Sequence, residues 1–477
     1  MSLKKKVFTG VKWVALANVF QQILSLVSIV IFAKLLSPDD FGAFSILMVF
    51  TGFLAIFSDM GTSAALIHVE KPSNQLLSSI FYFNLFIGAT LATGLILFSA
   101  PIASYFENPQ LKVLLQIVSL NFIIVSFGIV QRTLLQKNID FKHLSLINSL
   151  ALLIGLVCGL TAAYNGLGIY SLLIQMIITS LLGTGLIWYH ASWRPQWYFS
   201  LDEIKKIWKY TSNLSVFTII NYFSKNADNF LIGKYLSISA LGVYSIAYRI
   251  MLYPLQNISS ILMRVLFPAF SKLQNDDEKF RKVYLRVIFY ISLISFPIMA
   301  GLIATANIFV DVLFGDKWQG LAMLLIILAP SGMMRSIFTT VGTIFMAKGS
   351  TDTQLKLGTV NAILTVIGFI VGLNWGVNGV ALSYLIVNLI MFYPTFKISW
   401  GQIGLSVKDG LAEIAPIFTI STLMGLGVYF SNLLFFQNIE NQFLRLLLMV
   451  TLGITLYLIM LRIRYGSIKV LINELRK

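Results

Sequence analysis

Cysteine and histidine are scarce in this chain of 477 residues. There is one cysteine, Cys158, and there are three histidines, His68, His143 and His190. A single cysteine excludes an intrachain disulfide and leaves the redox compartment undetermined. The histidines lie far apart, none with metal-ligand spacing to a partner, so no metal site is expected. Charge is short as well: 11% of residues are charged, against about 25% in an ordinary soluble protein. No stretch is both long and polar enough to form a separate soluble domain. The longest predicted outer loops hold only about a dozen residues and no nucleophile–base set is visible, which argues against a membrane-embedded polymerase or acyltransferase and for a chain that is not an enzyme. The acidic QNDDEK stretch (274–279) reads as a solvated loop leading into a helix rather than as an acid or metal cluster.

What the chain has instead is apolar length. Hydrophobic residues make up 57% of it, and the mean hydropathy is +0.83. Apolar runs recur from end to end, each long enough to cross a bilayer. The opening MSLKKK precedes a run from Val11 to Ala33. That run is too long for a signal-peptide core and has no small-residue cleavage site after it, so it reads as the first membrane helix. Fourteen spans are predicted, at 11–33, 41–60, 78–100, 111–131, 144–163, 168–189, 211–233, 240–263, 286–308, 320–345, 357–374, 379–396, 412–431 and 443–461. The fold class is an all-α polytopic membrane protein with both termini in the cytoplasm.

In that topology 27 of the 35 Lys and Arg residues fall in cytoplasmic segments. Five, Lys34, Lys112, Lys234, Lys317 and Arg445, fall outside, and Lys225, Arg249 and Arg335 remain in the membrane. The asymmetry follows the positive-inside rule. The net charge of +16 is thus a topology signal rather than a sign of nucleic acid. Attraction to anionic membrane lipids is a secondary consequence. SLDEIKKIWKY (200–210) begins with a capping box, Ser200 and Glu203, and puts Ile204, Ile207 and Trp208 on one face. A short helix lying on the inner membrane surface is expected there.

The chain repeats itself. AKLLSPDDFGAFSI (33–46) and GKYLSISALGVYSI (233–246) are identical at six of fourteen positions, at an offset of 200 residues. Glycine turns in YNGLGIYSL (164–172) and NWGVNGVALSYL (374–385) correspond in the same way. Six spans per copy is an even number, so the copies are parallel and related by an axis along the membrane normal. The reading is an N-lobe at 1–199 (six helices), a linker helix at 200–210, a C-lobe at 211–400 (six helices), and an extra helix pair with a basic tail at 401–477.

Span 7 breaks its own hydrophobicity with NYFSKNADN (221–229). Thr218, Asn221, Lys225 and Asp228 share one helical face there, and the repeat places Asn18, Gln21, Ser25 and Ser28 on the matching face of span 1. Lys225, Asp228, Arg249 and Arg335 would together cost on the order of 10 kcal/mol if they faced lipid. They are expected to line a cavity or to pair, as Asp228 could with Arg249, whether as a staple between helices or as part of a site. The candidate cavity residues are therefore Lys225, Arg249, Arg335, Asn221, Asn229, Asn18, Gln21 and Ser25. Asp59 reads as a helix-end residue or as a proton relay. Prolines within spans are expected only in the second half, at Pro254, Pro297, Pro330, Pro394 and Pro416.

LSPDDFGAFSI, FSDMGTSAALIH and NADNFLIGKYLSISALGVYSIAYRIMLYPLQNISSILMRVLFPAFS resemble the polysaccharide-transporter branch of the multidrug/oligosaccharidyl-lipid/polysaccharide flippase superfamily. Within it they most resemble the Wzx-type exporters of colanic and teichuronic acids. These motifs cover spans 1–2 and 7–8. The extra pair 13–14 also suits this branch and the lipid II flippases, since the drug exporters usually have twelve spans. The resemblance implies a bacterial cytoplasmic-membrane flippase for undecaprenyl-pyrophosphate-linked oligosaccharides, working by alternating access beside a polysaccharide polymerase or other pathway membrane proteins. It implies no cofactor beyond H+ or Na+ coupling, for which Asp228 is the candidate. The alternative is a drug or small-molecule ion-coupled antiporter of the same superfamily. Organic cations would call for an acidic cavity, and the charges predicted within the membrane are mostly basic.

Overall fold

The computed structural model describes residues 3–59, 61–205, 215–273 and 276–466. Among them there are helices and no strands. In chain order the helices are α1 (Leu3–Leu35), α2 (Pro38–Ser58), α3 (Thr62–His68), α4 (Asn74–Tyr105), α5 (Gln110–Ser126), α6 (Ile129–Lys137), α7 (Phe141–Tyr164) and α8 (Tyr170–His190). A short helix, α9, is described over 201–205. Then follow α10 (Ser215–Tyr235), α11 (Ile238–Lys272), α12 (Asp277–Leu313), α13 (Leu321–Ala347), α14 (Thr351–Gly372), α15 (Gly376–Gly401), α16 (Val407–Ser431) and α17 (Gln442–Tyr465).

Ten of the described helical stretches are long and apolar enough to cross a membrane, or eleven if the bent pair α5–α6 is one span. One of these stretches, Thr351–Gly401, is two helices, α14 and α15, joined through a tight turn at Leu373–Trp375. The α10 stretch, which carries Lys225 and Asp228, is not among the ten. By contacts the chain divides into two compact units, Met1–Gly242 and Val243–Lys477.

In the first unit, serine starts two equivalent helices. Ser37 caps α2 in a capping box with Asp40, and Ser237, two hundred residues on, accepts a hydrogen bond from the Ala240 amide at the start of α11. These caps fix where both helices begin, and therefore where Gly42 and Gly242 stand one turn later. Each glycine lies against the first turn of the other helix. A Cβ at Gly42 would run into the Ile238 carbonyl and one at Gly242 into the Pro38 carbonyl, 2.7 Å from the carbonyl carbon in both cases. Asp40 also accepts from the Ile169 amide at 3.0 Å. That bond ties this turn to the glycine turn at 164–172, where Gly166 and Gly168 have positive φ. Further along, the Tyr222 hydroxyl donates to the Val49 carbonyl at 2.7 Å and Phe53 packs on Phe223 at 5.0 Å, seating α10 on α2.

The structure bends the fourth predicted span, read as one run over 111–131. It breaks at Phe127–Gly128 and turns by 43° into α6. A broken membrane helix needs its freed carbonyls satisfied. Here α8 supplies the donors: Trp188 Nε1 to the Phe127 carbonyl at 2.7 Å and Thr184 Oγ1 to the Ile124 carbonyl at 3.2 Å. The proline reading is corrected as well, because Pro101 lies inside α4. Asp59 is a helix-end residue: its carboxylate accepts from Thr62 Oγ1 at 2.7 Å and the Ser63 amide at 2.9 Å, in the first turn of α3. The described start of the linker is docked, with Ile204 buried against Leu76, Ile80 and Val130, and the Ser200 amide bonded to Ser79 Oγ. Ile207 and Trp208 lie outside the described residues.

The second unit is held by an aromatic core. Tyr284, Phe396 and Trp400 are fully buried. Trp400 Nε1 donates to the Tyr284 hydroxyl at 2.9 Å, which also pairs with Thr340 Oγ1 at 2.7 Å. Pro297, Pro330, Pro394 and Pro416 lie inside α12, α13, α15 and α16.

Enlarging either crossing glycine tests this account. Gly42→Leu and Gly242→Leu should each lower stability by about 3 kcal/mol or prevent folding, because a backbone carbonyl cannot step aside as a side chain can. Gly94→Leu, at a glycine with nothing within 4 Å of the added Cβ, should leave the unfolding temperature of the detergent-solubilised protein within a few degrees of the parent.

Candidate functional site

Gln21 of α1 borders a cavity of about 400 Å³ within the first unit. Gln21, Arg132, Asn148, Thr179, Ser180 and Thr184 give it its polar groups. They come from α1, α6, α7 and α8. Gln21 Nε2 donates to Ser149 Oγ at 3.1 Å, and Arg132 Nη2 donates to Asn148 Oδ1 at 3.2 Å. The close α7–α8 packing that shapes one wall needs small residues. A Cβ at Gly159 would stand 2.7 Å from that of Gln175, and Gly183 lines the cavity itself. The cavity thus pairs one guanidinium with amides and hydroxyls, a set suited to an anionic, hydroxyl-rich ligand.

Of the residues expected on the polar stripes, Gln21 lines this cavity. Asn18 and Ser25 are half-buried on the same helix. On α10, Lys225 is exposed, Asn229 half-buried and Asp228 buried; the Asp228 carboxylate accepts from the Asn229 amide at 2.8 Å. The side chains of Asn221 and Thr218 lie outside the described residues. Arg132 was missed from sequence because it sits just past the predicted end of a span and counts there as a cytoplasmic loop charge. Only the bend at Gly128, which sequence hydropathy does not register, turns it onto a cavity wall.

In the second unit Arg335, on α13, donates to the hydroxyl of Tyr384 on α15 and its guanidinium lies 5.8 Å from that ring. The Tyr384 hydroxyl also pairs with that of Tyr248 at 3.3 Å, and Tyr248 stacks on Tyr244. Arg249 follows Tyr248 on α11 and is exposed. A guanidinium in aromatic company keeps its charge while shielding it from hydrocarbon.

The reading of the histidines as isolated is corrected. His143 at the start of α7 and His190 at the end of α8 pack with centroids 4.0 Å apart and ring planes tilted by 32°, and Asp140 bonds to both, at 2.7 and 3.2 Å. The close α7–α8 hairpin brings together residues nearly fifty positions apart. Burial pushes the Asp140 carboxyl up, but the hydrogen bonds of the two imidazoles outweigh it and hold the group below its ordinary value.

Tyr384→Phe removes the acceptor of a charged donor and should lower stability by about 1.5–3 kcal/mol. Tyr248→Phe, which removes the neutral hydroxyl pair with Tyr384 and keeps the ring stacked on Tyr244, should cost about half as much. The unfolding temperatures of the two variants in one detergent give the ratio.

Comparison with known proteins follows the same line. The chain is 28% identical over 437 residues to the lipopolysaccharide biosynthesis protein WzxC of Escherichia coli (strain K12), covering 89% of each chain. It is 26% identical to the teichuronic acid biosynthesis protein TuaB of Bacillus subtilis (strain 168), covering 98% of each. Its fold matches that of the lipid II flippase MurJ in an inward closed conformation with a TM-score of 0.76, at 20% identity, over 94% of this chain and 98% of that one. The family described as polysaccharide biosynthesis protein matches residues 31–323, more than half of the chain, and this protein belongs to it.

Proposed function

We propose that this protein is a multi-pass flippase of a bacterial cytoplasmic membrane. It moves an undecaprenyl-pyrophosphate-linked oligosaccharide from the cytoplasmic to the outer leaflet for surface polysaccharide synthesis. Family membership over residues 31–323 carries the reading, and the whole-length similarity to two polysaccharide biosynthesis proteins supports it. The chemistry agrees. A pyrophosphate cannot cross hydrocarbon bare, and a guanidinium offers it paired, charge-assisted hydrogen bonds. Arg132 is the cation of the first-unit cavity, with Gln21, Asn148, Thr179 and Ser180 facing the sugar hydroxyls. Arg335, Arg249 and Lys225 serve the anionic group at other stages of transfer. The protein does this as a transporter by alternating access, without catalysing a reaction on the glycan, and hands its cargo to pathway proteins such as a polymerase. Any coupling to H+ or Na+ runs through Asp228, a buried carboxylate on an otherwise apolar-flanked helix. A buried carboxylate changes charge at a cost its surroundings can tune.

Two experiments test this. Depletion of the protein should cause lipid-linked repeat units to accumulate on the cytoplasmic leaflet, and complementation with R132A, R335A, R249A or K225A should relieve it at least about tenfold less than the parent chain. If all four relieve it fully, the anion site lies elsewhere. If nothing accumulates, the flippase reading is wrong and the drug-antiporter alternative takes its place. In proteoliposomes, Asp228→Asn should abolish the dependence of transport on an imposed proton or sodium gradient; a retained dependence would remove Asp228 from the coupling role.

A further inference from the structure

The Asp140–His143–His190 cluster is not used by the transport reading, and its geometry suits another ligand. We infer that it is a binding site for a divalent transition-metal ion, of the Zn2+ type, at the cytoplasmic ends of α7 and α8. Two imidazole nitrogens and a carboxylate oxygen are a recurrent donor set for such ions, leaving a fourth position for water. The three donor atoms lie within 4.8 Å of one another. His143 Nδ1 lies 2.7 Å from Asp140 Oδ1 and His190 Nε2 lies 3.2 Å from Asp140 Oδ2, whereas donors about 2.0–2.1 Å from a tetrahedral ion stand roughly 3.3 Å apart, so an ion would replace these two hydrogen bonds and move His143 and the carboxylate apart by roughly half an ångström. The side chains are between 30% and 44% exposed, open enough for an ion to enter without unfolding the helix ends.

The backbone fixes the site from two sides. Asp140 is the N-cap of α7 and accepts from the His143 amide, so these two donors are locked at i and i+3. His190 is the last residue of α8, brought alongside by the α7–α8 hairpin. Nearby cations are engaged elsewhere. Lys137 donates to the Leu66 carbonyl at 2.9 Å, Lys142 lies over the Trp13 ring, and Arg194 donates to the Trp188 carbonyl at 2.8 Å. An ion here would clamp together the ends of two helices that both line the Arg132 cavity: Ile187 on the cavity wall is one turn from His190.

The test uses the full-length protein in detergent, purified without a histidine tag, stripped with EDTA and titrated with Zn2+ against a chromophoric chelator. The expected result is one Zn2+ per chain, with affinity lowered at least about tenfold in H143Q, H190Q and D140N and unchanged in H68Q. On the parent chain alone, Zn2+ should shield His143 and His190, but not His68, from diethyl pyrocarbonate, which gives a result even if a variant fails to fold. Zinc uptake equal in the parent and in an H143Q/H190Q double variant, or no shielding of the two histidines, would overturn the site and leave the cluster as a hydrogen-bonded clasp.

Discussion

The reciprocal crossing of Gly42 and Gly242 is the contact on which the first unit's arrangement depends. Each glycine meets the first-turn carbonyl of the other's helix, and the two carbonyls belong to Pro38 and Ile238, again two hundred residues apart. Contacts of the form i to j and j to i are what a two-fold axis produces. The sequence repeat is thus matched by a local two-fold relation between the starts of α2 and α11. Backbone-to-backbone approach at this distance is open only to glycine, because any Cβ would occupy the partner's carbonyl. The serine caps at Ser37 and Ser237 make the crossing possible by setting the helix starts in register.

The candidate site depends on a different constraint, the broken span α5–α6. A straight helix would not have placed Arg132 on the cavity wall. The break costs backbone hydrogen bonds, which Trp188 and Thr184 of α8 replace. The same helix then contributes Thr179, Ser180 and Thr184 to the cavity, so the element that stabilises the bend also builds the site. The Arg132 guanidinium lines the cavity with Asn148 as its hydrogen-bond partner. In the second unit Arg335 is partnered by tyrosines, whose rings and hydroxyls together replace water.

Length and composition were enough to establish an all-helical membrane protein, because bilayer thickness acts on any segment regardless of its neighbours. The repeat, with Ser37 and Ser237 among its identical positions, was legible for a similar reason: it is a local pattern in the chain, although that these serines cap helices was shown by the structure. Gln21 could be named because a polar residue in an apolar helix needs a partner wherever it points. The family resemblance rested on the motifs at 36–46, 57–68 and 226–271, which are likewise local stretches of the chain.

Tertiary structure decided what local pattern could not. Arg132 became a cavity residue only through a bend whose replacement hydrogen bonds come from a helix some sixty residues away. Asp140, His143 and His190 became a cluster only because α7 and α8 pack closely enough for their ends to meet. Asp59 proved to be a cap once α3 was seen to start against it, and Pro101 fell within a helix because α4 runs further than its apolar run. The sequence by itself determined the helical membrane class, the repeat and the polar residues set within apolar runs. Which of those residues share a cavity was set by long-range packing, since helices that bend and cross bring together side chains that no spacing along the chain connects.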